Sequence, residues 1–320
     1  MNTKGLINRF IPWRVKVALS TLKNGLPPAW ALPYRSLHVP TMIVEAEAEY
    51  FANCTRQFFG RTGGIVDLGC WMGSTSIALS RGLVQANTKN PSHREKVLAY
   101  DRFVWEEWMM MYETFGIYQP GDVFLPEARR VVNEHGSGLI ELIQADLTYF
   151  EWSGDSIKIL LVDAMKSAGL ARQIARTFYP SLQKGGIVIQ QDFKHFYTSW
   201  IHVLHFRLQK HFQMIHSVPR GATVAFEVMA PMSTSDVLEA TDFENISDVE
   251  SEECFRHSMG LVETDERFKV ASAHVSLYTH LNRTDKARDL IDRYTALGMA
   301  ENGEFQSAIR LFEEQTGQKI

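Results

Sequence analysis

Five aspartates stand at the ends of apolar, strand-forming runs. GIVDLG places Asp67, VLAYD places Asp101, LIQAD places Asp146, LLVDA places Asp163 and IVIQQD places Asp192. Aspartate favours turns and helix N-caps, which accounts for one or two such positions. All five at one sheet edge would gather like charge that only a cation or a polar ligand offsets. The stretch KILLVDAMKS is the most suggestive, because Lys166 follows Asp163 by three residues. If the strand exit begins a helical turn, the two side chains share a face. They can form a simple salt bridge on a solvated turn, or act as chemical groups in a cleft. Gln191-Asp192 close the next strand, and neighbouring strands lie about 4.8 Å apart. Asp163, Gln191 and Asp192 can therefore converge on a hard octahedral ion such as Mg²⁺. Such an ion would lower the pKa of Lys166 and let it act as a base. His195 and His205 are spare candidates. His195 lies three residues past Asp192 and can serve as base or substrate holder, although a lone histidine is commonly structural.

These groups need a frame, and the chain supplies an alternating one. Strand-like runs at 65–68, 97–100, 140–144, 159–162 and 187–190 alternate with helix-like runs at 74–81, 104–111, 126–134, 168–178 and 197–210. The alternation predicts an α/β, doubly wound, mostly parallel sheet of seven strands. The pair 213–218 and 222–228, joined by Pro219-Arg220-Gly221, predicts a late antiparallel hairpin. Ligands bind such sheets outside the carboxyl ends of the strands.

The first strand exit narrows the ligand. VDLGCWMGSTSIAL reads as strand, glycine turn and helix. Trp71 occupies the middle glycine of a dinucleotide pattern, which argues against the rival reading of a nicotinamide-dependent oxidoreductase, and no Gly-Lys-Ser/Thr follows, so a P-loop is absent. What remains is an acid, a turn with Gly69 and Gly73, and a second acid, Asp101, placed to accept ribose hydroxyls. Asp67 can face a cationic amino group. S-adenosylmethionine is a nucleoside that also carries an amino acid.

Residues 63–229 resemble a class I S-adenosylmethionine-dependent methyltransferase. The motif G-x-W-x-G-x-x-S (Gly69, Trp71, Gly73, Ser76) followed by YDRF is similar to the macrocin O-methyltransferase-like sugar methyltransferases. The resemblance implies a cofactor site on Asp67, Gly69, Trp71, Gly73, Ser74, Ser76, Asp101, Arg102 and Asp146. D-x-x-K at Asp163 and Lys166 is similar to catechol O-methyltransferase and its relatives, where it supplies a metal ligand and the catalytic lysine. In that family an Asp-Asn pair after the fifth strand completes the metal site. Here Gln191 stands where aspartate is expected and Asp192 where an amide is usual. The macrocin-like families carry D-G-D and D-D, so Met165 and Gln191 each replace an aspartate. The implied activity is methylation of a hydroxyl on a sugar, glycan or phenolic acceptor, Mg²⁺-assisted, with Lys166 as base and Asp163 beside it. The altered Gln191 and Met165 support a second reading, a methyltransferase fold that binds or scaffolds without turnover.

The remaining sequence sets the surroundings. The net charge of −4 gives no footprint of a nucleic-acid binder. Three widely spaced cysteines suggest neither disulfides nor zinc and favour a reducing cytoplasm. Lys4, Arg9, Arg14, Lys16 and Lys23 alternate with apolar residues, which suits a helix on its own domain or one in peripheral contact with a membrane. The expected divisions are 1–62, an N-terminal helical segment; 63–230, the cofactor-binding domain; 231–253, an acidic linker; and 254–320, a helical appendage that can serve a homodimer.

Overall fold

A computed structural model describes residues 39–87, 95–112 and 117–320. The basic stretch Lys4 to Lys23 lies outside the described residues. Seven strands, β1 (Gly64–Leu68), β2 (Val97–Asp101), β3 (Ile140–Gln144), β4 (Ile157–Val162), β5 (Leu182–Gln190), β6 (Phe212–Ser217) and β7 (Val224–Val228), form one sheet in the order β3-β2-β1-β4-β5-β7-β6. β2 pairs parallel with β3, and β4 pairs parallel with β1 and with β5. β7 runs antiparallel to both β5 and β6, which is the late hairpin expected from the sequence. This is a doubly wound, Rossmann-like α/β sheet with a late antiparallel hairpin. The run of apolar residues in β4 reflects its place inside the sheet: all six of its residues are buried. Lys158 is among them, and its ammonium donates to the carbonyl of Arg61 at 2.8 Å.

The helices among the described residues are α1 (Glu45–Phe58), α2 (Ser74–Asn87), α3 (Leu125–His135), α4 (Ala168–Phe178), α5 (Ser199–Arg207), α6 (Thr234–Ala240), α7 (Asp248–Met259), α8 (Arg267–His280), α9 (Thr284–Ala296) and α10 (Gly303–Thr316). The described residues fall into two compact units, one drawn from 39–59 and 69–145, the other from Gly60–Leu68 and Asp146–Ile320. None of the described helices is long and apolar enough to cross a membrane. Cys54, Cys70 and Cys254 are buried free thiols.

Two expectations change. Residues 104–111 do not form an α-helix. Phe103 takes a left-handed backbone (φ 53°), Val104 bridges antiparallel to Val123, and a short 3-10 helix begins only at Glu107. The acidic segment read as a linker is folded into α6 and the start of α7. Its serines and acids are caps: the Ser233 hydroxyl accepts from Asp236 N–H in a capping box, and Ser247 accepts from Glu250 N–H. Between them Val237, Ala240, Phe243 and Ile246 are buried. Arg172 grips Glu244, and Arg207 grips Glu250 with Nε at 2.6 Å. Further on, α8, α9 and α10 build their own apolar core from Tyr278, Leu290, Ile291, Tyr294, Phe305 and Phe312.

Candidate active site

In the first unit the turn after β1 is tied to the end of β2. Gly69 N–H donates to the Tyr100 carbonyl at 2.8 Å. Gly69 and Gly73 both have positive φ, 86° and 89°, and Trp71 between them is also left-handed at 45°. At Gly73 a methyl group would meet Val132 Cγ2 at 2.6 Å, so the position needs glycine for space as well as for backbone. Asp101 fixes the turn from the other side. One carboxylate oxygen accepts Trp71 N–H at 2.9 Å, and the other accepts Phe103 N–H at 2.7 Å. Burial pushes its carboxyl upward, and these two bonds pull it back. Gly69, Trp71, Gly73 and Asp101 are thus brought together. Ser74 and Ser76 are buried in the first turn of α2. Arg102 is exposed and pairs with Glu106. Trp105 is buried and stacks on Tyr118 at 4.9 Å, whereas Trp108 and Met111 are exposed.

In the second unit the strand order reverses between β1 and β4, the switch point at which open sheets bind ligands. Leu68 pairs with Val162, and Val162 with Gln190, so Asp163 and Gln191 leave the sheet side by side. Their backbone N–H groups extend the pairing to the Leu68 and Val162 carbonyls. Asp67 is fully buried in β1. Asp146 is exposed, and one of its carboxylate oxygens accepts from Thr148 N–H at 3.0 Å.

Lys166 lies between two carboxylates, 2.6 Å from Asp163 Oδ1 and in contact with Asp192 Oδ2. Burial opposes its charge, but Asp163 and Asp192 together push the amine well above its ordinary value. Lys166 is therefore held as an ammonium. Burial, and the charges of Asp192 and Asp67, push Asp163 upward against the pull of Lys166. Asp192 is almost wholly enclosed, and its second oxygen accepts the Tyr197 hydroxyl at 3.2 Å. His195 stacks on Tyr197 (5.2 Å between rings) and bonds through Nδ1 to Glu304 Oε1 at 3.1 Å. Burial works against the imidazolium, and the Glu304 bond outweighs it, so the His195 pKa is raised. His205 is not at this edge. It is buried, stacks on Phe226 at 4.0 Å, and is pushed down to about 3 by burial.

The residues expected to bind Mg²⁺ do not fit an ion. The Lys166 ammonium already occupies the space between the Asp163 and Asp192 carboxylates. Gln191 Oε1 accepts the Thr223 hydroxyl at 2.5 Å. Among the described residues no group of three or more His, Cys, Asp or Glu is arranged to hold a metal. Tyr197, Thr223 and Glu304 were not singled out from the sequence. Tyr197 follows Asp192 by only five residues, a weak signal, and Glu304 is remote in the chain.

The chain matches no protein-family model and no curated protein. Among solved structures it is similar to the O-methyltransferase NovP, at 19% identity over 60% of this chain and 83% of that one, with a TM-score of 0.47. CalS11, a TDP-rhamnose 3'-O-methyltransferase of calicheamicin biosynthesis, aligns at 13% identity over 68% of this chain and 95% of that chain, TM-score 0.45. The N-methyltransferase NodS from Bradyrhizobium japonicum WM9 aligns at 10% identity over 58% and 98%, TM-score 0.33.

Proposed function

We propose that this chain is an S-adenosylmethionine-dependent O-methyltransferase that methylates a hydroxyl of a sugar or phenolic small molecule without a divalent ion. The observation that carries the reading is the bond from the Trp71 N–H to Asp101. It joins a glycine turn after β1 to the acid that ends β2, the arrangement that receives a nucleoside. Each Asp101 oxygen accepts one backbone N–H and keeps a lone pair for a ribose hydroxyl. When bound, S-adenosylmethionine supplies a methyl group on a sulfonium centre.

The acceptor side belongs to the second unit. Asp192 has both oxygens engaged, by Lys166 and Tyr197, so Asp163 is the carboxylate that takes the proton of the acceptor hydroxyl. Its side chain is 22% exposed, open enough to meet an acceptor. With S-adenosylmethionine bound, the acceptor oxygen would lose its proton to Asp163 as it bonds the methyl carbon, and the carbon–sulfur bond would break with its electron pair left on sulfur, giving the neutral thioether S-adenosylhomocysteine. The Lys166 ammonium faces the negative charge that develops on that oxygen. Lys166 thus does the electrostatic work that a metal does in related chemistry.

Calorimetry tests the cofactor half. Wild type is expected to bind S-adenosylmethionine in the micromolar range and Asp101→Ala to lose it. A panel of sugar nucleotides and catechols, with methyl-labelled cofactor, tests the acceptor half, and Asp163→Asn should abolish transfer. Absence of cofactor binding would sink the reading. Binding with no transfer to any acceptor class would favour a binding or scaffold role.

A further inference from the structure

The C-terminal helices grip the loop that carries Asp192. Lys194 is fully enclosed, and its ammonium meets Glu266 at 2.6 Å and the Val218 carbonyl at 2.8 Å. The next two residues are held by Glu304, in the first turn of α10. Its Oε1 bonds His195 Nδ1 at 3.1 Å, and its Oε2 accepts Phe196 N–H at 3.0 Å. The Phe196 ring packs against the core built by α8, α9 and α10. From there a short series of contacts reaches the reacting groups. His195 stacks on Tyr197, the Tyr197 hydroxyl donates to Asp192, and Asp192 pairs with Lys166.

We propose that Glu304 is a positioning residue for the acceptor site. By fixing His195 and Phe196 it sets the Tyr197 ring, and the Tyr197 hydroxyl sets the carboxylate that holds Lys166 in place. The region beyond the sheet is then a working part of the site rather than an attachment. The inference rests on the acceptor-side role given above to Asp163 and Lys166, but its geometry is independent of any cofactor. Both Glu304 oxygens are used, so two features of the loop, a backbone N–H and an imidazole, are located by one side chain. A carboxamide can keep the acceptor for Phe196 N–H, whereas alanine keeps neither contact.

The test is the rate at which trace acetic anhydride acetylates Lys166 in the full chain, read by mass spectrometry. Asp163 and Asp192 shield the amine, so a loosened loop exposes it. Glu304→Ala is expected to be acetylated several-fold faster than wild type, and Glu304→Gln close to the wild-type rate. Tyr197→Phe, which cuts the same series of contacts without touching α10, should reproduce the acceleration. Phe312→Leu, which weakens the same helical core away from the loop, should lower the melting temperature and leave the rate unchanged. Equal rates in wild type, Glu304→Ala and Tyr197→Phe would overturn the proposal, as would acceleration by Phe312→Leu. S-adenosylmethionine affinity should be the same in all variants. If wild type binds no cofactor, the methyltransferase reading fails while the labelling still reports on the loop.

Discussion

The glycine turn can be broken at one atom. Gly73→Ala places a methyl carbon 2.6 Å from Val132 Cγ2, in a buried contact with a stiff β-branched side chain. It also forces a non-glycine residue to φ 89°. The backbone term is about 1–2 kcal/mol. Overpacking adds about 1–3 kcal/mol. The sum, about 2–5 kcal/mol, should appear as a fall in the urea midpoint at unchanged slope. The two terms separate in a double-mutant cycle with Val132→Ala. The truncated side chain makes room for the new methyl and relieves the packing term, so the coupling should be about 1 kcal/mol or more, while the backbone term persists. Cofactor affinity should fall in Gly73→Ala and stay low in the double variant, because the turn itself is altered. An unchanged midpoint in Gly73→Ala, or zero coupling, would refute the described turn.

Three further outcomes are expected. EDTA and added Mg²⁺ should leave cofactor affinity and turnover unchanged, whereas Lys166→Ala, with two facing carboxylates and no ammonium between them, should acquire Mn²⁺ binding by calorimetry; loss of wild-type turnover in EDTA would contradict this. Lys194→Met leaves Glu266 buried without its main partner and should destabilise by about 3 kcal/mol in urea unfolding, with part recovered in Lys194→Met/Glu266→Gln. His202 and His205 are buried neutral, both pushed down to about 3 by burial. The unfolded chain then binds more protons below about pH 6.5, so stability present above that pH is lost as pH falls toward 3, at about 1.4 kcal/mol per pH unit for each group. His202→Phe should remove one share of that slope, and a flat profile between pH 6 and 4 would contradict the assignment.

The sheet was legible because burial on both faces leaves a continuous apolar run, as in β4, and because a strand exit shows itself by an abrupt aspartate. Parallel register then follows from pattern alone, so the meeting of Asp163 with Gln191 was foreseeable. The functional state of Lys166 was not. Its neighbours Asp163 and Asp192 were both identified, but which cation sits between them depends on side-chain directions that spacing does not encode. The segment around α6 misled for a related reason. Ser233, Asp236, Ser247 and Glu250 are the residue types of exposed linkers and also of helix caps, and the buried Val237, Phe243 and Ile246 between them are too few to mark a period. Glu304 had no signal at all, because its contacts with His195 and Phe196 cross more than a hundred residues of chain.

Asp101 has a consequence for how a ligand would arrive. Its carboxylate already holds both flanking N–H groups, one from the turn after β1 and one from its own strand exit. The left-handed Trp71 is therefore locked before anything binds, and association need not order that loop. Ligands that meet a ready-made surface lose less conformational freedom on binding. The expected signature is rapid, single-phase capture whose rate rises linearly with ligand concentration, with no slow isomerisation after it. The same economy makes Asp101 hard to replace by evolution, since any substitute must satisfy two fixed donors and a mobile ligand at once.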